Sequence, residues 1–69
     1  MAQIEITLNG EKRQIADGIS VANLVENLQL DTKKIAIERN GQIVLLEEFA
    51  DAVVKNGDKL EIVHFIGGG

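Results

Sequence analysis

The 69-residue sequence contains no cysteine, no proline, no tryptophan and no tyrosine, and only two phenylalanines and one histidine. Without cysteine there is no disulfide, no thiolate nucleophile and no zinc–sulfur site, so stability rests on packing alone. The chain also lacks any run of Lys/Arg. Eleven acidic against seven basic residues give a formal charge of −4 and a pI near 4.8. That is not the electrostatic footprint of a nucleic-acid binder, and it does not suit an anionic membrane surface. No apolar run approaches the roughly 20 residues of a transmembrane helix. Residues Met1 to Glu5 show neither the charge nor the apolar stretch of a secretory signal, so a cytoplasmic location is expected.

What is present is branched and aliphatic. Hydrophobic residues are 45% of the chain, and they include nine Ile, seven Leu and six Val. Such side chains suit half-buried strands. With 26% charged residues and a mean hydropathy of +0.06, the sequence is that of one small globular domain.

Polarity alternates from Gln3 to Asn9, with Ile4, Ile6 and Leu8 on one face, which predicts a first strand. Asn9-Gly10 is a tight-hairpin signal, because both central residues of a primed turn need positive φ. The return strand, Glu11 to Ala16, is polar except near Ile15 and reads as an edge, closed by Asp17-Gly18. Ser20 is placed to cap a helix. Val21, Leu24, Val25 and Leu28 follow on one helical face, while Asn23 and Glu26 face water. The helix ends between Asn27 and Leu30, and Asp31 to Lys34 form a charged connection.

A third strand is expected from Ile35, and Asn40-Gly41 turns it into Gln42-Ile43-Val44. Between Leu45 and Val54 the pattern is ambiguous: Leu46, Phe49, Ala50 and Val53 suit one short helical turn or two. Asn56-Gly57-Asp58 is a further turn, and Lys59 to Ile66 is the last strand. A hairpin, one amphipathic helix and further strands give an α+β, β-grasp layout. In it a mixed sheet of about four to five strands packs on one main helix, with the first and last strands central. The domain is expected to span 1–66, with 67–69 as a flexible Gly-Gly-Gly tail.

The residues show no active site of their own. His64 is the only histidine, and without a cluster of Asp, Glu or Cys it makes no metal site. Ser20 is better explained as a cap, and Glu47-Glu48, adjacent in sequence, as a solvated face. No glycine-rich phosphate-binding motif occurs.

The C-terminus is the unusual feature. Gly67, Gly68 and Gly69 follow directly on an apolar segment ending Val63-His64-Phe65-Ile66. A tail without side chains fits a channel that excludes any Cβ, and three extended residues span roughly 10 Å. An α-carboxylate with a reference pKa of about 3.3–3.7 is ionised at neutral pH. Such a carboxylate can attack an activated phosphate and become an acyl-adenylate. If Leu60 and Ile62 face the core, Val63 and Phe65 lie on the other face with Lys59 and Glu61, joined by Ala36. Large apolar groups there suggest a docking patch. The alternative is that Phe65 folds over the sheet edge to cover the core.

Across its whole length the chain resembles the ThiS family, the ubiquitin-like sulfur carrier proteins of thiamine biosynthesis. The residues that carry the likeness are the N-terminal hairpin, Ser20-Val21 with Leu24-Val25, and Ala36 to Gly41. The Asn56-Gly57-Asp58 turn and Ile62 to Gly69 complete it. One departure lies after the second hairpin, where the family often has Val-Pro-Arg and an aromatic. Here Leu45 and Leu46 follow Val44, and Phe49 is the aromatic.

The resemblance implies a carrier and co-substrate rather than an enzyme, with no cofactor bound. Gly69 would be adenylated at its carboxylate and converted to a thiocarboxylate, with ATP consumed by the activating partner. Gly67 and Gly68 would thread the partner, and Phe65, Ile66 and Val63 would anchor it. The implied partners are an ATP-dependent adenylating enzyme, a sulfur donor of the cysteine desulfurase type and thiazole synthase. The free carrier would be a monomer. Three alternatives stay open: a small subunit of molybdopterin synthase, disfavoured by the absence of proline; a ubiquitin-like protein modifier; and a designed or structural β-grasp domain whose glycines are incidental.

Overall fold

A computed structural model describes residues 2–65. Five strands form one mixed sheet in the order β2-β1-β5-β3-β4, with β1 Gln3–Leu8, β2 Glu11–Ala16, β3 Ile35–Arg39, β4 Gln42–Val44 and β5 Lys59–His64. The expected β-grasp layout is observed. β1 and β5 run parallel near the centre, Thr7 beside Lys59 and Leu8 beside Leu60, and the polar strand β2 lies at one edge. The helix α1, Val21–Asn27, is much too short to cross a membrane, and no other described helix is long and apolar enough to do so.

Of the three Asn-Gly pairs, Asn9-Gly10 and Asn40-Gly41 form the hairpin turns that their sequence predicts, whereas in Asn56-Gly57 only the glycine has positive φ. Asn9 and Gly10 have φ of 49° and 83°, and Asn40 and Gly41 have 52° and 84°. Only residues tolerant of the left-handed region make this turn without strain. Each asparagine also does something that turn propensity does not reveal. The Asn9 side-chain oxygen accepts from the Ile62 N–H at 2.7 Å, and that of Asn40 accepts from the Lys59 N–H at 2.9 Å. Their own N–H groups donate to the carbonyls of Leu60 and Lys59. The two turns therefore hold β5 from both sides.

The start of α1 is fully satisfied. Asn23 donates its N–H to the Ser20 hydroxyl, and its side-chain oxygen accepts from the Ser20 N–H, making a capping box. The next two orphan donors, on Val21 and Ala22, reach the carbonyls of Ala52 and Phe49 at 2.8 and 2.9 Å. Val21, Leu24 and Val25 are buried and Leu28 is half-buried, as their spacing predicts.

Three expectations need correction or refinement. The segment from Leu45 to Val54 contains one 3₁₀ turn, Leu46–Glu48, and of the four residues Leu46, Phe49, Ala50 and Val53 that suited a helical turn only Phe49 is buried. Leu46, Ala50 and Val53 are exposed, because the segment is anchored by backbone bonds to α1 rather than by an apolar stripe. The connection 31–34 holds a second 3₁₀ turn, Thr32–Lys34, capped by Asp31. Finally, β5 ends at His64, because His64 faces Ile35, the first residue of β3, and the ladder runs out there. Ile66 and the boundary between a 1–66 domain and a 67–69 tail lie outside the described residues.

The core joins Ile6, Leu8, Ile35, Ile37, Leu60 and Ile62 of the sheet to the buried stripe of α1, with Phe49 and Val54 closing one end. Leu24→Ala is expected to cost roughly 2–5 kcal/mol. A domain of this size has only about 3–10 kcal/mol in total. Denaturant unfolding should therefore show a large drop in midpoint; an unchanged midpoint would contradict the placement of α1 on the sheet.

Candidate docking face and C-terminal segment

Alternation along β5 divides its side chains cleanly. Leu60 and Ile62 enter the core, while Lys59, Glu61 and Val63 point to the face away from the helix. Ala36 of β3 stands opposite Val63 and is half-buried. Beyond the strand, Phe65 still donates its N–H to the Lys34 carbonyl at 2.8 Å, which fixes where its side chain leaves the chain.

Val63 and Phe65 are 56% and 59% exposed. Phe65 therefore does not cover the core edge, and the alternative stated above is rejected. Two further apolar side chains belong to the same open side and were not foreseen. Ile43 of β4, 59% exposed, stands opposite Glu38, and Leu45, 51% exposed, follows Val44 in extended backbone. The signal was available: if Val44 faces inward, its neighbours on an extended chain face outward. In place of the family's Pro-Arg, this chain puts Leu45 and Leu46 at the surface, both about half exposed.

The strand that leads to the C-terminal segment is rigidly held. Besides the two asparagines, the buried Asp58 just before β5 accepts from the Lys55 N–H, the Asn40 amide and the Arg39 guanidinium at 2.9–3.1 Å. That cluster ties the β3–β4 turn to the start of β5. The candidate residues Ile66, Gly67, Gly68 and Gly69 lie outside the described residues.

The remaining polar groups carry no reactive constellation among the described residues. His64 is exposed on β5, and no three His, Asp or Glu side chains converge as metal ligands there. Ser20 is consumed by the helix cap. Glu48 accepts from the Leu45 N–H, and Glu47 is solvated. An open cleft of about 590 Å³ between β4 and the 3₁₀ turn is lined by Arg39, Glu47, Glu48 and Asp51, with no histidine, serine or lysine.

Comparison with known proteins agrees with this geometry. The ThiS family model matches residues 6–69. The sulfur carrier protein ThiS of Bacillus subtilis is 34% identical over 65 residues, covering 93% of this chain and 98% of that one. The crystal structure of the thiamine biosynthesis protein ThiS from Geobacter metallireducens superposes with a TM-score of 0.83 at 30% identity, over 96% of this chain and all of that one. A thiazole synthase of Paramagnetospirillum magneticum contains a segment 44% identical over 66 residues. The chain covers 96% of its own length in that match but only 20% of the synthase. Sequence, sheet order and the segment leading to the glycines agree: the chain belongs to the ThiS family.

Proposed function

We propose that the chain is a sulfur carrier of thiamine biosynthesis, acting as a protein co-substrate whose reacting group is the carboxyl of Gly69. One carboxylate oxygen attacks the α-phosphorus of ATP on an activating enzyme, and pyrophosphate leaves. A persulfide on a cysteine of a donor protein then attacks the acyl carbon and displaces AMP. A second thiol cleaves the S–S bond of the resulting acyl disulfide, so that a thiocarboxylate remains at Gly69 and the two thiol sulfurs leave as a disulfide. Thiazole synthase receives that sulfur. In this scheme the partners supply ATP binding and catalysis. The chain supplies a docking face and a threading tail, Gly67 and Gly68, with Ile66 beside Phe65 at the anchor. A partner that consumes ATP fits a cytoplasmic location.

The observation that carries the reading is the exposed pair Val63 and Phe65 at the end of a strand clamped on both sides. Such an arrangement offers a partner a fixed apolar grip immediately before Ile66. An anchor near the reacting group orients it, which is where much of the rate of a two-protein reaction arises.

Phe65→Ala tests the anchor. Truncating a well-packed aromatic at an interface commonly costs at least about 2 kcal/mol of binding. Phe65 is exposed in the free protein, so the thermal midpoint should barely move. ATP–pyrophosphate exchange by the activating enzyme, titrated with each carrier, should show a raised half-saturating concentration for the variant. Equal titration curves would remove Phe65 from the interface, and no exchange with the wild-type chain would overturn the reading.

A further inference from the structure

The outer face of the sheet holds an arrangement that the fold does not need. Glu38 of β3 and Glu61 of β5 are direct cross-strand partners, and Ile43 stands on the other side of Glu38. The next pair along places Ala36 opposite Val63. Side chains so opposed have Cβ atoms about 4.5–5.5 Å apart, and like charges there are destabilising. Among the described residues, neither carboxylate has a cation within ion-pair distance. The ion pairs are Lys12 with Glu5 and Arg39 with Asp58. Lys59, on the same face two residues before Glu61, takes part in none, nor does Lys34.

Two acids therefore lie unneutralised among exposed apolar side chains. A lysine at either position would have relieved the repulsion within the chain. Resting on the sulfur-carrier reading, we infer that this face receives an arginine of thiazole synthase, its guanidinium spanning Glu38 and Glu61 while Ile43, Leu45, Val63 and Phe65 meet apolar surface around it. Arginine suits the site better than lysine. Its planar fork offers five donors to two carboxylates, and it is the more weakly hydrated cation. Apolar neighbours that exclude water strengthen the pairing.

Other occupants fit less well. A second copy of the chain would set one glutamate pair against another, and the whole chain carries −4. An anionic lipid surface is repelled for the same reason. The synthase is the partner tied to this fold, since a protein of that name carries a similar segment within its own chain.

The test is calorimetric titration of a purified thiazole synthase with the full-length chain at several salt concentrations. Wild-type affinity should fall as salt rises. Glu38→Gln with Glu61→Gln should weaken the complex on the order of tenfold and flatten that salt dependence. Glu61→Lys should weaken it further without lowering the thermal midpoint, because the new lysine faces Glu38. Should Glu61→Lys fail to fold, the double glutamine variant decides alone.

Unchanged affinity in the glutamine variant would overturn the inference, as would a loss of stability that parallels the loss of binding. If Phe65→Ala weakens the complex while both acidic variants bind like wild type, only the arginine site fails. If the wild-type chain does not bind the synthase at all, the sulfur-carrier reading and this inference fall together. Sedimentation of the free chain completes the test: self-association altered by Glu61→Lys would give the face to a second copy.

Discussion

A chain ending at Gly68 is expected to fold like the full protein and to accept no sulfur. Removing Gly69 withdraws the reacting carboxyl by one residue, about 3.3–3.6 Å of extended chain. The docking face is unchanged, so the complex still forms, but the new terminus stops short of the α-phosphate. Even about 1 Å of misplacement at a reacting centre can cost ~100-fold in rate. A shift several times larger leaves nothing measurable. Among the described residues the buried set ends at Ile62, so the fold is expected not to depend on Gly69. Thermal unfolding and ATP–pyrophosphate exchange should be measured on the same truncated protein. A truncated chain that still becomes adenylated at its new end would refute the assignment to Gly69.

Gly68→Ala is expected to lower the exchange rate by about 100-fold. A channel that admits the tail to the nucleotide reads its width, and a Cβ both widens the chain and restricts its backbone angles. The loss should fall mainly on the maximal rate, because Val63 and Phe65 still dock. Gly67→Ala, nearer the mouth of the channel, should lose much less. Stability should stay at the wild-type value in both, since the tail is expected to bury nothing in the free protein. Exchange at the wild-type rate by Gly68→Ala would mean that no tight channel reads this position.

Much of the fold follows from short-range chemistry that a sequence displays openly. The alternation in β1, the Ser20 cap with its buried stripe and the Asn9-Gly10 and Asn40-Gly41 hairpin turns each need only neighbours a few residues away. The turns show where that legibility stops. Asn9 and Asn40 are readable as turn residues, but their bonds to Ile62 and Lys59 link positions 53 and 19 residues apart. No local pattern announces such a bond. Asp58 is the same case: it reads as a turn residue, yet it is buried and joined to Arg39 and Asn40.

The segment 45–54 was opaque for a different reason. Its position is set by carbonyls of Phe49 and Ala52 accepting from the first turn of α1, and by Val54 donating its N–H to the Ile19 carbonyl at 2.9 Å. Backbone groups are alike in every residue, so these contacts leave no trace in side-chain identity. On the docking face, Val63 and Phe65 were legible from the alternation of β5. Ile43 and Leu45 become legible only once Val44 is known to face inward, because three residues of β4 are too few to establish a period by themselves.

The most direct measurement is the intact mass of the chain after incubation with the activating enzyme, ATP and a sulfur donor. Exchange of one carboxyl oxygen for sulfur should add the mass difference between the two atoms. Fragmentation should place that gain on Gly69, and omitting ATP should abolish it. An unchanged mass with active partner proteins, or a gain located at any other residue, would contradict the carrier mechanism.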